Sequence, residues 1–337
     1  AVVGISMALG PIVGGFLIEA ISWRAVFWIN LPICAVAIIL TAIYVPESKS
    51  ATMRDIDPIG QLLAVLSLFG LVFVLIEGPA LGWTDPRIVA IIVGATLAFL
   101  AFLRYESRRH DPFIDLRFFR SIPFASATVT AVCVFAAWGA FLFMMSLYLQ
   151  GERGYSAAHP GLISLPIAVG ALFSSPLSGR MVGRFGARPS LLVSGVLITI
   201  ASAMLTLLTP TTPVWALLVL FTVYGIGFGM VNAPITNAAV SGMPKDRAGA
   251  ASAVTSTSRQ VGVSIGVALC GSVAGPALEI VGADFTAAAR PLWFVSVGLG
   301  LVIVFLAVFS TSARAERSAE RLAPLIEDRR IEDAHVA

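Results

Sequence analysis

Polar residues along this chain fall in clusters, and long, nearly uninterrupted apolar stretches run between them. Those stretches cover residues 1–21, 25–45, 59–77, 88–103, 124–149, 160–179, 190–208, 214–240, 250–274 and 290–310. Crossing the hydrocarbon of a bilayer takes about 20 mostly apolar residues in a helix. A membrane-spanning strand would instead alternate lipid-facing and lumen-facing positions over about ten residues, and these runs do not alternate. A helix also satisfies its own backbone hydrogen bonds, which lipid cannot do for it. The pattern predicts an all-α membrane protein with ten transmembrane helices.

Composition agrees. The 337 residues are 58% hydrophobic and 12% charged, and their mean hydropathy is +0.91, whereas soluble domains carry about 25% charged residues. A water-soluble fold cannot hide that much apolar surface behind so little charge, so the lipid bilayer is the expected solvent. The net charge of +3 and pI near 9.0 raise the possibility of nucleic acid. The placement of the cations argues for membrane orientation and against a nucleic-acid partner. Seventeen of the 22 Lys and Arg lie in 46–58, 104–120, 180–189, 241–249 and the tail after 310. Four, namely Arg24, Arg87, Arg153 and Arg290, lie in the alternate connections. Basic connections stay in the cytoplasm, which predicts a multi-pass protein of the cytoplasmic (inner) membrane with a cytoplasmic C-terminal tail. Within the longest connection, the mixed stretch from Asp111 to Leu116 is expected to lie at the membrane surface. Because Ala1 already sits inside an apolar run, the chain reads as entered part-way through a helix.

Little in the chain suggests catalysis. Cys34, Cys133 and Cys270 lie in separate apolar runs with no metal-ligand spacing, so neither a disulfide framework nor a metal site is predicted. His110, His159 and His335 are scattered over different segments. An integral membrane enzyme would need clustered acids, bases or ligands, and the chain is read as a non-enzyme.

Several motifs stand out. Ser6, Gly10 and Gly14 recur every four residues, with Pro11 and Gly15 beside them. Small residues at that spacing let a neighbouring backbone approach, and Pro11 permits a bend. Gly179, Arg180, Gly183, Arg184, Gly186 and Arg188 form a loop whose glycines allow a tight turn. Its cations can meet acids, helix C-termini or anionic lipid, or simply mark an inward-facing connection. Arg259 and Gln260 lie inside the ninth run, with Gly262, Gly266 and Cys270 on one face. A mid-membrane Arg costs about 2.5–3.5 kcal/mol on insertion scales and should face protein or water, which fits either a transport pathway or structural pairing. Phe135, Trp138, Leu142 and Met145 share one face of the fifth run, suited to an organic substrate or equally to lipid. The glycine-rich eighth run, with Asn232, Pro234 and Asn237, is a candidate cavity wall. Glu19, Glu77, His159 and Glu279 lie near outer helix ends and read as interfacial.

Part of this pattern resembles a known family. Gly10-Pro11-Ile12-Val13-Gly14-Gly15 resembles the antiporter motif in the fifth helix of major facilitator superfamily drug exporters, although Ser6 stands where a further glycine is expected. The stretch from Trp23 to Pro32 resembles their link between helices five and six. The Gly179–Arg188 loop resembles the superfamily's cytoplasmic-loop motif, with Gly183 in place of its acid. Residues 249–258 resemble the start of the thirteenth helix in fourteen-span exporters. Residues 1–310 as a whole are similar to the fourteen-span drug:proton antiporters.

That resemblance implies a major facilitator-type helical bundle in defined parts. Residues 1–45 would be the last two helices of an N-terminal six-helix bundle, 46–58 a cytoplasmic loop and 59–103 an inserted helix pair. Residues 104–123 would be a cytoplasmic connection, 124–310 the C-terminal six-helix bundle and 311–337 the tail. It further implies proton-coupled efflux of drugs or other small amphiphilic molecules by alternating access, with no cofactor and with an organic substrate and protons as partners. The family's first-helix acid and fourth-helix Arg would precede this chain, so no proton-carrying residue is named. Because two bundles share one cavity, the chain alone is expected not to transport. The alternatives are an exporter of an endogenous metabolite, lipid or siderophore, and a nonfunctional fragment whose helices merely insert.

Overall fold

The computed structural model describes residues 2–45, 57–109, 112, 114–156, 158–241, 248–278, 284–312, 315, 317 and 318. Lys49, Arg54, His110, Asp111, Lys245, Arg247, Glu279 and the tail beyond residue 318 lie outside the described residues, as do the side chains of Ser6 and Pro11. No strand occurs among the described residues. Twelve α-helices do, and they run in order as α1 (Val2–Ala20), α2 (Ala25–Trp28), α3 (Asn30–Tyr44), α4 (Pro58–Leu81), α5 (Pro86–Arg108) and α6 (Ile122–Leu147). Then come α7 (Ala158–Ile163), α8 (Leu165–Phe185), α9 (Ala187–Leu205), α10 (Val214–Val240), α11 (Ala248–Leu278) and α12 (Phe285–Phe309).

Every apolar run is helical, and eight helical stretches among the described residues are long and apolar enough to cross a membrane. The sequence pattern counts ten runs. α1 and α11 cover the remaining two. Boundaries also move. The 25–45 run breaks at Ile29 between α2 and α3, where Asn30 Nδ2 donates to Val26 O at 3.3 Å. The inserted pair is longer than 59–77 and 88–103, because Asp57 and Asp85 cap α4 and α5 just before Pro58 and Pro86. These are favoured N-terminal arrangements, since a carboxylate accepts the first free amides and proline lacks the N–H the first turn cannot use. α6 ends in a π turn, Tyr148–Glu152.

α6 packs along α11, α8 along α10, and α9 between α10 and α12, while α12 also meets α6 and α11. Together these six long helices enclose the main core. α4 and α5 form a hairpin whose α4 lies on α11, and α1 lies on α7 and α8. α2 and α3 bury no residue among those described.

Glycines set the closest contacts. A methyl group on Gly139 would sit 2.6 Å from Val263 O, and one on Gly262 the same distance from Val132 O. One on Gly266 would collide with Ala136 O. The Gly262–Gly266 face noted in the sequence is therefore the α6–α11 seam, and Cys270 continues it, its Sγ 3.6 Å from Ala140 O. Small residues buy this backbone approach where apolar side chains gain nothing by leaving lipid.

Of the stretch from Asp111 to Leu116, Asp111 and Phe113 lie outside the described residues. Asp115 is buried, accepts the Arg117 amide and forks with the Arg117 guanidinium at 2.9 and 2.7 Å. Phe118 is buried against Phe124. A neutralising partner two residues away lets this acid fold against the bundle.

Candidate functional site

The centre of the bundle is an aromatic stack between α6 and α10. Phe135, Trp138 and Phe141 recur on α6 as Phe221, Tyr224 and Phe228 do on α10, at helical spacing. Trp138 lies 4.6 Å from Phe228 and 5.9 Å from Tyr224 between ring centroids. Phe141 stacks on Tyr224 at 4.4 Å, and Phe135 meets Phe228 edge-on at 5.3 Å. Of the face read from sequence, Phe135 and Trp138 are half-buried in this stack. Met145 is only 3% exposed, so it fills the core and does not reach an open face. Leu142 points outward, at 42% exposure.

Arg259 closes one end of the stack. Its guanidinium carbon lies 5.7 Å from the Phe135 centroid, and Nη2 donates to Thr236 Oγ1 at 3.0 Å. Thr236 in turn donates to Asn232 O at 3.0 Å, and Asn232 Nδ2 donates to Phe228 O at 3.3 Å. Arg259 Nε is buried with no hydrogen-bond partner among the described residues. In the six-helix bundle, Arg259 is the only described charged residue more than about two turns from a helix end. Around it Thr236, Asn237, Ser256 and Gln260 are exposed. Chemically, this face offers a desolvated cation, an aromatic edge and amide and hydroxyl groups, enough to hold a carboxylate, a carbonyl or an aromatic ring.

Beside this face α10 carries Pro234 inside its helix. Pro234 has no N–H to give Met230 O, the carbonyl one turn back. Ser178 Oγ on α8 and Ser190 Oγ on α9 both donate to that carbonyl, at 2.8 and 2.6 Å. Ser194 Oγ donates to Gly227 O at 2.7 Å. These buried serines were missed in the sequence, although a proline inside an apolar run signals a carbonyl in need of a donor.

The other motif residues lie apart from Arg259. Gly179, Arg180, Arg184, Gly186 and Arg188 span the end of α8 and the start of α9, all exposed. The connection expected over 180–189 shrinks to Gly186, whose φ of +76° makes the turn. In the antiporter-type motif, Gly15 is buried, whereas a methyl group added at Gly10 or Gly14 would have nothing within 4 Å.

At the far rim, Arg153 clamps the α9–α10 turn. Nη1 donates to Pro210 O and Thr212 O at 2.7 and 2.8 Å, and Tyr148 OH donates to Thr209 O at 2.7 Å. The Tyr155 hydroxyl leads the contacts that raise the Arg153 pKa above its ordinary value. At the other end of the molecule Asp57, buried at 3% exposure, accepts from Gly60 N, Tyr105 OH and Arg109 Nη1 at 2.9, 3.2 and 3.1 Å. That knot ties the two ends of the α4–α5 hairpin. Glu106 adds the Ile114 amide at 3.1 Å.

The family model described as Major Facilitator Superfamily matches residues 1–267. The chain belongs to the Major Facilitator Superfamily. It is a multi-pass membrane protein of a transporter family and not an enzyme. Superfamily relatives include Multidrug resistance protein Stp of Mycobacterium tuberculosis, 35% identical over 81% of this chain and 51% of the relative. The Tetracenomycin C resistance and export protein of Streptomyces glaucescens is 35% identical over 80% of this chain and 50% of its own length. The Methylenomycin A resistance protein of Streptomyces coelicolor is 33% identical over 94% of this chain and 65% of its own length. The chain thus spans about half the length of the first two.

Proposed function

We propose that the chain is part of a proton-coupled exporter of drugs or other small amphiphilic molecules, working by alternating access as a fourteen-span protein. In this reading all ten helical runs cross the cytoplasmic membrane, the 104–123 connection and the tail are cytoplasmic, and 124–310 is the substrate-facing half. Arg259, Gln260, Asn232, Phe135 and Trp138 line the pathway, Met145 backs the stack, and the Gly179–Arg188 turn takes part in gating.

One observation carries the reading: Arg259 is partly buried mid-helix on a polar and aromatic face that no described helix covers. A cation at that depth is retained where it serves a function, facing protein or a water-filled cavity. Two packed bundles with a site between them meet that need. The names of the relatives, which speak of resistance and export, support the same reading.

The test is drug tolerance in a pump-deficient bacterium. The 337-residue chain and a fusion that places four upstream exporter helices before it are both expressed, and membrane insertion is checked. The fusion is expected to raise tolerance and the chain alone is not. Tolerance from the chain alone would overturn the two-bundle mechanism; none from an inserted fusion would overturn export.

A further inference from the structure

The outer face of the α4–α5 hairpin carries a groove of about 500 Å³ that the transport reading leaves unused. Leu63, Ala101, Arg104, Tyr105, Arg108 and Arg109 line it. Arg104 and Arg108 are one turn apart on α5, so both guanidinium groups rise from the same side of the helix. Both are exposed, and neither forms an ion pair with a described residue. Arg109 is committed differently, to Asp57 at 3.1 Å and to the Tyr105 hydroxyl. It therefore fixes the base of the groove while Arg104 and Arg108 remain directed at whatever enters. Towards the membrane interior the walls turn apolar, with Leu63 on one helix and Ala101 on the other.

We propose that this groove binds an anionic phospholipid, its phosphate held between Arg104 and Arg108 and an acyl chain lying along Leu63 and Ala101. Guanidinium groups match phosphate oxygens with paired, charge-assisted hydrogen bonds. Basic pockets at the cytoplasmic ends of membrane helices are suited to anionic headgroups. A free phosphate would use the arginines but gain nothing from the apolar walls, so a lipid is the occupant that fits both halves of the groove. The proposal rests on the inward orientation of this connection given above.

Native mass spectrometry of the detergent-purified chain, titrated with phosphatidylglycerol or phosphatidylcholine, tests it. One phosphatidylglycerol is expected to bind first, about tenfold or more tighter than phosphatidylcholine, since each basic residue near an anionic lipid contributes several-fold in affinity. Arg104→Ala with Arg108→Ala should remove that preference. Arg104→Lys with Arg108→Lys should keep part of it, and Arg87→Ala with Arg290→Ala, exposed on the alternate connections, should leave it unchanged. Helix content by circular dichroism checks that each variant is folded. Equal loss in both alanine pairs, no preference between the lipids, or full displacement by millimolar inorganic phosphate would each overturn the site. Orientation is read separately, by labelling Ser107→Cys in a Cys34→Ser background with an impermeant thiol reagent on intact cells. Labelling from outside alongside retained lipid preference would sink the orientation and leave the site standing.

Discussion

Ser190 Oγ donates at 2.6 Å to Met230 O, the carbonyl that Pro234 leaves without its helical partner. Ser178 Oγ, itself 2.7 Å from Ser190 Oγ, donates to the same carbonyl. A carbonyl has two lone pairs, and here each takes one hydroxyl. α10 is thereby bonded to α8 and α9 one turn before its proline, so the helix that carries Asn232 and Thr236 is positioned by its neighbours.

Removing one of these serines should therefore do little, and removing both should do more than twice as much. Ser178→Ala or Ser190→Ala is expected to destabilise by about 0.6–1 kcal/mol, the usual size of such a bond between membrane helices. The double variant orphans a buried carbonyl, which costs about 1–3 kcal/mol. Pro234→Ala restores an N–H to Met230 O and should shrink the double-variant penalty. Unfolding in mixed micelles reads the cycle, and additive single effects would contradict the shared carbonyl.

Arg259 should matter to transport more than to folding. In the tolerance-conferring fusion, Arg259→Ala is expected to cut initial efflux by about tenfold or more, the equivalent of a hydrogen bond to a charged group. Thermal stability should hold or rise, because a desolvated cation has been removed. Arg259→Lys keeps the charge without the planar fork over Phe135 and should fall between. Undiminished efflux by Arg259→Ala in everted vesicles would remove this residue from the pathway.

The α6–α11 seam predicts a sharp contrast between glycines. Gly266→Ala would press a methyl on the Ala136 carbonyl, and backbone cannot swing aside as a side chain can. A loss of about 1–3 kcal/mol is expected from overpacking. Gly249→Ala, with nothing within 4 Å of the new methyl, should instead gain up to about 1 kcal/mol from helix propensity. Melting temperatures of the two variants check the sign of each.

Arg153 should act as a structural clamp on the outer rim. Its loss frees Pro210 O and Thr212 O, so Arg153→Ala is expected to loosen the 206–213 turn and cost about 1–3 kcal/mol. Hydrogen exchange of that turn should speed up, while the amides of the α6–α11 seam keep their protection. Unchanged exchange at the turn would show that these bonds carry no weight.

Much of this was legible in order of length scale. Apolar runs of spanning length marked the long helices, because lipid forces the backbone to close its own hydrogen bonds, but not the breaks that set α2 apart from α3 and α7 apart from α8. Asp57-Pro58 and Asp85-Pro86 carry the start signals of α4 and α5, which a reading of apolar runs alone passes over. The spacing of Gly262, Gly266 and Cys270 put them on one face, but did not show that this face would be a close contact or that α6 would be its partner. Pairing was harder to read, since every face of a lipid-immersed helix is apolar and periodicity no longer points inward. For that reason Met145, placed with Phe135 and Trp138 on one face, could not be separated from them until the core showed it buried. The same ambiguity hid Tyr224 and Phe228 as the partners of Trp138.

By itself, then, the sequence determined the solvent, the helices and their approximate ends, since these follow from the local run of apolar residues and the distribution of charge. Only the tertiary structure decided which helices touch, that Ser178 and Ser190 serve the carbonyl freed by Pro234, and that Arg259 lies over Phe135. Those relationships join residues far apart in the chain, and no local pattern encodes which distant donor will reach a given acceptor.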